Sequence, residues 1–189
     1  KEQQAAIQSD FELVKNYKTA IFDDGYSFVG GNLNGDITLV EFIDYKCGYC
    51  KKAHGEVEKL LSTDGNIRFI IKEFPILGED SLKMSKFALA VKIAHGDKAY
   101  KVVHDILIKM KAAPSTKAFD RIINTLNLGS KLVQDAMESP EVKGIIADTR
   151  NLAEKLKISG TPTFVMKDEL IRGYVPFDAL IELVANKRG

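Results

Sequence analysis

The sequence predicts an α/β fold into which an all-helical segment is inserted. The first observation is a strand–helix–strand pattern over residues 37–73, where two apolar runs flank a helical stretch. The second is a change to helical periodicity alone between about residues 81 and 157. The third is the return of two short strands and a helix at 163–187. We therefore expect an N-terminal helix and linker at 1–30, an α/β domain built from 31–77 and 158–189, and an inserted helical domain at 78–157.

The composition restricts the classes of function. With 189 residues the chain is long enough for one domain with a full core, or for one domain carrying a large insertion. A formal net charge of +1 gives no overall field that would attract nucleic acid or anionic lipid, so no nucleic-acid partner is expected. The sequence has no run of eighteen or more apolar residues of the kind that crosses a membrane.

The N-terminal segment is predicted to be one helix over residues 1–22. Ile7, Phe11, Val14 and Ile21 recur at helical steps with polar residues between them. The Asp-Asp-Gly sequence at 23–25 ends this helix, and the glycine- and asparagine-rich stretch at 30–36 predicts a loop.

The central segment begins with a nearly continuous apolar run at 37–45, which is typical of a strand covered on both faces. A helix follows at 48–61 and a second strand at 67–73. Because a helical crossover joins these strands, they are predicted to be parallel neighbours in one sheet.

The remaining elements are predicted from the periodicity of apolar residues and from glycines and prolines that mark the ends of helices and strands. Before two of the helices, Pro114-Ser115 and Ser139-Pro140 are start signals. The predicted helices are 81–95, 97–110, 115–126, 130–137, 140–157 and 177–187, and the predicted strands are 163–166 and 170–175.

Both cysteines of the chain lie in one motif, Cys47-Gly48-Tyr49-Cys50. A disulfide across so small a loop removes little entropy from the unfolded chain, so it would stabilise the fold poorly. Zinc needs four ligands, and beyond His54 no further ligand is in view, so no metal is expected. Two inert core cysteines are the other alternative. The favoured interpretation is a redox-active dithiol.

The position of the motif gives this interpretation a mechanism. It lies where a predicted strand ends and a helix begins, so unpaired N–H groups and the positive end of the helix dipole can stabilise a thiolate. Cys47 at the helix start is predicted to be the exposed nucleophile of disulfide exchange. Cys50, one turn further, is predicted to be more buried and to resolve the mixed disulfide. Three flanking lysines add a weaker positive field: Lys46, Lys51 and Lys52.

Two charged residues in the predicted strands are candidates for tuning the dithiol. Glu41 lies six residues before Cys47, and we interpret it as a buried acid that shuttles the proton of Cys50; the alternative is an edge carboxylate in water. Lys72 in the neighbouring strand is a candidate charge partner for Glu41, and the alternative is an exposed lysine. His95 and His104 are expected to be ordinary helix histidines, and Tyr45 either a core residue or part of a substrate surface.

Four segments together resemble the DsbA-like thiol:disulfide oxidoreductases of the thioredoxin superfamily. They are VEFIDYKCGYC at 40–50, KEFPILGEDS at 72–81, SPEV at 139–142 and ISGTPTFVM at 158–166. The ScsC-like and alphaproteobacterial DsbA-like branch is the most similar.

The resemblance implies a thioredoxin fold with an inserted helical domain, no cofactor and a periplasmic location. It implies a cis bond between Thr161 and Pro162, in a loop that faces the Cys47 sulfur and pairs with substrate backbone. The implied partners are cysteine-containing substrate proteins and a membrane redox partner, either a DsbD-like reductase or a DsbB-like oxidase.

Three functions stay open at this stage. Thr161 before the proline and the Gly48-Tyr49 dipeptide favour a disulfide isomerase or general oxidoreductase over a dithiol oxidase that donates its disulfide. A copper-tolerance module whose thiols hold Cu(I) is the third. Isomerases of the superfamily are oligomers joined through N-terminal segments, so the first helix is a candidate for homo-oligomer contacts; the alternative is that it packs on its own domain. Since the chain begins at Lys1, without an initiator Met, we expect a processed or trimmed chain. The resemblance implies that more helix precedes Lys1 in the natural protein.

Overall fold

The computed structural model describes residues 1–189 and contains eight helices and five strands. The strands are β1 Phe28–Gly31, β2 Ile37–Ile43, β3 Ile67–Glu73, β4 Thr163–Met166 and β5 Glu169–Arg172. The helices are α1 Glu2–Asn16, α2 Lys18–Phe22, α3 Gly48–Thr63, α4 Glu79–Lys109, α5 Thr116–Thr125, α6 Ser130–Met137, α7 Pro140–Lys155 and α8 Phe177–Arg188.

The five strands form one mixed sheet in the order β1-β3-β2-β4-β5. β2 and β3 are parallel, as predicted from the crossover helix between them, and all other neighbours are antiparallel. The two central strands are therefore buried on both faces, which explains why β2 lacks an alternating polar pattern. The fold is the predicted α/β fold with an all-helical segment, α4 to α7, between β3 and β4.

Two apolar cores cover the two faces of the sheet. A cluster of 35 buried residues fills the space between one face and the helices α3 to α8, and it includes Leu39, Ile43 and Cys50. A cluster of 12 buried residues lies on the other face against α1, α2 and α7, and it includes Val40 and Phe42. Since successive side chains of a strand point to opposite faces, Glu41 points toward the larger cluster.

β1 occupies a stretch for which the sequence predicted a loop. Phe28 pairs with Ile71 and Gly31 with Arg68, so this short strand borders the sheet next to β3. Its two glycines conceal the strand pattern in the sequence. Gly31 has a φ of +65°, and a Cβ atom there would lie 2.4 Å from the carbonyl oxygen of Ile67. Glycine is therefore required by the close approach of the two strands.

Several predicted boundaries also differ. The predicted helix 1–22 is divided at Tyr17 (φ −112°, ψ 22°), which lets α2 turn and bury Ile21 against the sheet. The last strand ends at Arg172 instead of residue 175, before Gly173 with a φ of 101°. The expected break between two helices at Gly96 is confirmed, because its φ of 85° interrupts α4 there. No helix combines the length and the apolar character needed to cross a membrane.

Candidate functional site

Cys47 caps the N-terminus of α3. Its backbone is extended (φ −75°, ψ 118°), and its Sγ accepts a hydrogen bond from the Cys50 N–H at 3.3 Å. A sulfur in this position receives both a backbone donor and the positive end of the helix dipole, which together stabilise the thiolate. Neither cysteine is in a disulfide, so the structure describes the reduced dithiol.

The motif is less accessible at Cys47 than predicted from the sequence. The exposed fraction of Cys47 is 8% and that of Cys50 is 0%, whereas Tyr49 is 64% exposed. Cys50 is more buried than Cys47, as predicted, but the prediction that Cys47 is exposed is wrong. The Cys47 thiol donates a hydrogen bond to the carbonyl oxygen of Thr161 at 3.3 Å, so the loop before β4 lies against the sulfur.

That loop contains the Thr161-Pro162 peptide bond, which is cis in the structure. The Thr163 hydroxyl donates to the Gly160 carbonyl at 2.9 Å, and the Gly173 N–H donates to the Pro162 carbonyl at 2.9 Å. The loop is thus tied at both ends, and the Thr161 carbonyl is held facing Cys47. Thr161 is partly exposed and Pro162 is buried.

Asp44 organises the turn between β2 and α3, although sequence reasoning did not select it. It is fully buried, and its backbone carbonyl accepts from the Cys47 N–H at 3.1 Å. Its carboxylate accepts from four donors: the N–H groups of Lys46, Ile76 and Leu77, and the hydroxyl of Ser81. The available sequence signal was an aspartate directly after an apolar strand. Asp44 connects the dithiol turn to the start of α4.

Cys50 is strongly stabilised as the neutral thiol. Burial raises its pKa well above the usual thiol value, and the charges of Cys47 and Glu41 act in the same direction. Hydrogen bonds from the Asp44 backbone and the Thr161 side chain oppose this rise only in part. The two cysteines therefore lie in different environments: Cys47 Sγ accepts a backbone N–H at the start of α3, whereas Cys50 is buried as the neutral thiol.

Glu41 lies beneath the dithiol, on the α3 side of the sheet, with an exposed fraction of 4%. Burial, with a smaller contribution from the charge of Glu58, raises its pKa to about 8. Its carboxyl group forms no hydrogen bond and no salt bridge. An acid with such a pKa exchanges its proton near neutral pH, and its charge also affects Cys50.

Lys72 is not the charge partner of Glu41, so this prediction is wrong. In the parallel register Glu41 lies opposite Ile71 and Lys72 lies opposite Phe42, which directs the two side chains to opposite faces of the sheet. The Lys72 ammonium instead binds Asp24 at 2.5 Å, the Ala20 carbonyl and the Ser27 hydroxyl. It fastens the segment after α2 to the sheet and lies outside the dithiol site.

The Lys72–Asp24 pair is predicted to be important for stability. The exposed fractions of the two side chains are 0% and 8%, so removing one partner leaves a buried charge without its counter-charge. We expect Lys72→Met to lower the free energy of unfolding by about 3–5 kcal/mol, measured by urea unfolding. The matched control is Lys131→Met, which breaks the exposed pair with Asp135 and should change stability by less than about 1 kcal/mol. Equal effects of the two changes would contradict the assignment.

Tyr45 and His104 lie in the core. Tyr45 is fully buried, and its hydroxyl donates to Glu73 Oε1 at 2.7 Å and lies 2.9 Å from His104 Nδ1. His95 lies near the surface, where its Nε2 accepts from the Gly129 N–H at 3.2 Å. Tyr45 is therefore a core residue, and its interpretation as part of a substrate surface is wrong.

The fold and the paired thiols together define the class of thioredoxin-like thiol–disulfide oxidoreductases. The family model described as thioredoxin matches residues 23–186, and the chain belongs to this family.

Solved structures similar to this chain include a DsbA protein, ScsC and a thioredoxin-like oxidoreductase. The chain is 28% identical to the thiol-disulfide exchange protein alpha-DsbA2 of Wolbachia pipientis, with a TM-score of 0.88 over 97% of this chain and 98% of that one. It is 26% identical to the catalytic domain of Proteus mirabilis ScsC, with a TM-score of 0.84 over 94% and 97%. It is 37% identical to a thioredoxin-like oxidoreductase of Silicibacter pomeroyi, with a TM-score of 0.83 over 90% and 97%.

The curated relatives include much longer proteins. The chain is 25% identical over 158 residues to the Na(+)/H(+) antiporter NhaA 3 of Salinispora tropica, which aligns with 84% of this chain. The chain spans about a quarter of the length of that relative, namely 24%. The similarity therefore concerns only a part of the antiporter.

Proposed function

We propose that this chain is a periplasmic protein disulfide isomerase, which reshuffles incorrect disulfides in secreted proteins. The observation that supports this proposal is the environment of the Cys47 sulfur. It receives the Cys50 N–H at the start of α3 and lies 3.3 Å from the Thr161 carbonyl. One sulfur is thus prepared for attack, and a backbone acceptor beside it is in a position to pair with an extended substrate.

The proposed reaction begins when the Cys47 thiolate attacks one sulfur of a client disulfide. A mixed disulfide with Cys47 forms, the client S–S bond breaks, and the second client sulfur leaves as a thiolate. That thiolate, or another client cysteine, can then attack the mixed disulfide. The client leaves with a different disulfide and the dithiol stays reduced, so the cycle needs no net oxidant.

Cys50 can release a client whose mixed disulfide with Cys47 does not rearrange. It must first lose its proton, and Glu41 is the proposed acceptor because it is the buried acid beneath the pair. Attack by the Cys50 thiolate forms the Cys47–Cys50 disulfide and releases the client as a dithiol. The oxidised chain then needs a reductant, for which we propose a DsbD-like membrane reductase.

The surface around the dithiol supports protein substrates. Tyr49, Ile76 and Leu77 are large apolar side chains with exposed fractions of 64%, 38% and 52%. Asp44 places the last two beside the turn that carries Cys47. Apolar groups around a reactive sulfur suit unfolded chains, which expose apolar side chains.

The expected activity is recovery of native ribonuclease from its scrambled, fully oxidised form by the reduced chain in a glutathione buffer. The matched assay starts from reduced ribonuclease and the oxidised chain, and measures disulfide formation. Rapid oxidation without any recovery from the scrambled form would contradict isomerase function. That result would identify a dithiol oxidase, whose membrane partner would be a DsbB-like oxidase.

We also propose that α1 contributes to a homo-oligomer. Ile7 and Phe11 have exposed fractions of 68% and 38%, and Val14 is the only buried residue of α1. Light scattering on the full-length protein should give a multiple of the monomer mass, and the double change Ile7→Glu/Phe11→Glu should lower it. A monomer mass for both proteins would reject the proposal.

A further inference from the structure

A group of ligand-forming side chains lies between α3 and α4, apart from the dithiol. His54 belongs to α3, and His104 and Asp105 belong to α4. One potential ligand atom from each of the three residues lies within 4.8 Å of the other two. Both histidines are buried, with exposed fractions of 7% and 4%, and the Asp105 side chain is 33% exposed. The thiol chemistry makes no use of these groups.

The hydrogen bonds around His104 determine which of its nitrogens is free. The Tyr45 hydroxyl donates its one proton to Glu73, so its oxygen must accept from the Nδ1–H of His104. Nε2 therefore carries the unprotonated lone pair. The hydrogen bond of the His104 ring to the protein is made through Nδ1, which leaves Nε2 available to a ligand. Histidines that bind metals typically have their second ring nitrogen fixed by an outer hydrogen bond of this kind.

Burial favours the neutral form of both histidines. Burial lowers the pKa of His104 well below its usual value, and the charges of His54 and Lys101 add to this effect. Burial also lowers the pKa of His54, although Asp105 opposes the change.

We propose that His54, His104 and Asp105 form a binding site for a divalent cation of the zinc class, whose fourth position is open to water. Two imidazoles and one carboxylate are a ligand set that zinc uses when a coordination position stays open. Zinc–ligand bonds of about 2.0–2.1 Å would bring the three ligand atoms to about 3.4 Å from one another. The His54 Nε2 and Asp105 Oδ1 atoms already lie 3.5 Å apart, so the contraction requires mainly an approach of the His104 ring.

Lys101 is the competitor for this site. Its ammonium lies 2.7 and 2.9 Å from the two oxygens of Asp105 and 2.9 Å from Glu58. A cation bound to Asp105 would leave Lys101 paired with Glu58 alone. Lys101 therefore weakens the binding of the metal, and its removal should strengthen it.

The proposal departs from the sequence-based expectation of no metal. In the sequence, His54 was considered only as a zinc ligand together with Cys47 and Cys50. The proposed site also uses α4, whose proximity to α3 cannot be read from residue spacing in the sequence. A bound ion would join α4 to α3, which has the dithiol at its start. It does not depend on the proposed isomerase function.

The test is zinc binding, measured by isothermal titration calorimetry in the folded variant Cys47→Ser/Cys50→Ser, which cannot bind zinc through thiolates. We expect one ion per chain. Asp105→Asn and His54→Gln should each weaken binding at least about 10-fold, and Lys101→Gln should strengthen it. His95→Gln is the matched control, because this histidine lies outside the cluster, and it should leave the affinity unchanged.

A second measurement covers the risk that a change in the buried cluster prevents folding. Nitrogen NMR of the histidine rings in the same cysteine-free protein should show zinc-dependent shifts at His54 and His104 and none at His95. The absence of stoichiometric binding would overturn the proposal. Binding that Asp105→Asn leaves unchanged, or shifts confined to His95, would do so equally, since the ion would then lie elsewhere.

Discussion

Cys47→Ser is expected to lower the rate of disulfide exchange by at least about 1,000-fold, because it removes the proposed attacking sulfur, which accepts the Cys50 N–H at the start of α3. Cys50→Ser should have a different effect. The attacking sulfur is kept and the resolving sulfur is lost, so mixed disulfides with client proteins should accumulate. Mass spectrometry of the purified variants after incubation with a scrambled client measures both outcomes.

The structure also provides a control for this experiment. Tyr49→Ala keeps both sulfurs and the backbone donor of Cys50, and it alters only an exposed side chain. It should affect client affinity much more than the reaction with a small disulfide. If Cys47→Ser retained activity, or if Cys50→Ser trapped no client, the assignment of the two sulfurs would be wrong.

Glu41→Gln is expected to change the pH dependence of both activity and stability. The carboxyl group has a pKa of about 8 in the folded chain, so its ionised fraction rises through the neutral range. If it accepts the proton of Cys50, the rate of release from a mixed disulfide should rise with pH up to about 8. The glutamine variant should lose this rise and release clients about 100-fold more slowly.

The stability of the folded chain should change with pH in the opposite direction to the release rate. Folding raises the pKa of Glu41 from its usual value of 4.5 to about 8. Between these two pH values the folded chain therefore binds more protons than the unfolded chain. The free energy of unfolding therefore decreases as the pH rises from about 4.5 to about 8. Glu41→Gln removes this decrease in the free energy of unfolding, which amounts to at most roughly 4–5 kcal/mol.

Urea unfolding at pH 5 and at pH 8 measures this prediction. The buried carboxyl group of Glu73, whose pKa is raised to about 7, contributes to the pH dependence of both proteins, so the comparison uses their difference. Glu41→Gln should be clearly more stable than the natural chain at pH 8 and similar to it at pH 5. Equal stability differences at the two pH values would show that Glu41 is not a buried acid.

Much of the architecture could be predicted because it depends on short-range patterns. The parallel β2 and β3, the break at Gly96 and the helix starts at Ser115 and Ser139 follow from apolar periodicity and capping chemistry, which act within a few residues. β1 was missed because its two glycines carry no strand signal, and only its pairing with β3 makes it a strand.

The local sequence by itself determined the redox pair. Two cysteines three positions apart at the end of an apolar strand must come to lie on one turn at the start of a helix, where backbone N–H groups are available. Tertiary structure alone decided the partners of the charged residues: Lys72 with Asp24, Asp44 with the start of α4, and Glu41 without a counter-charge. The physical reason is that strand register and the pleat direct each side chain to one face of the sheet, and what covers that face comes from distant parts of the chain.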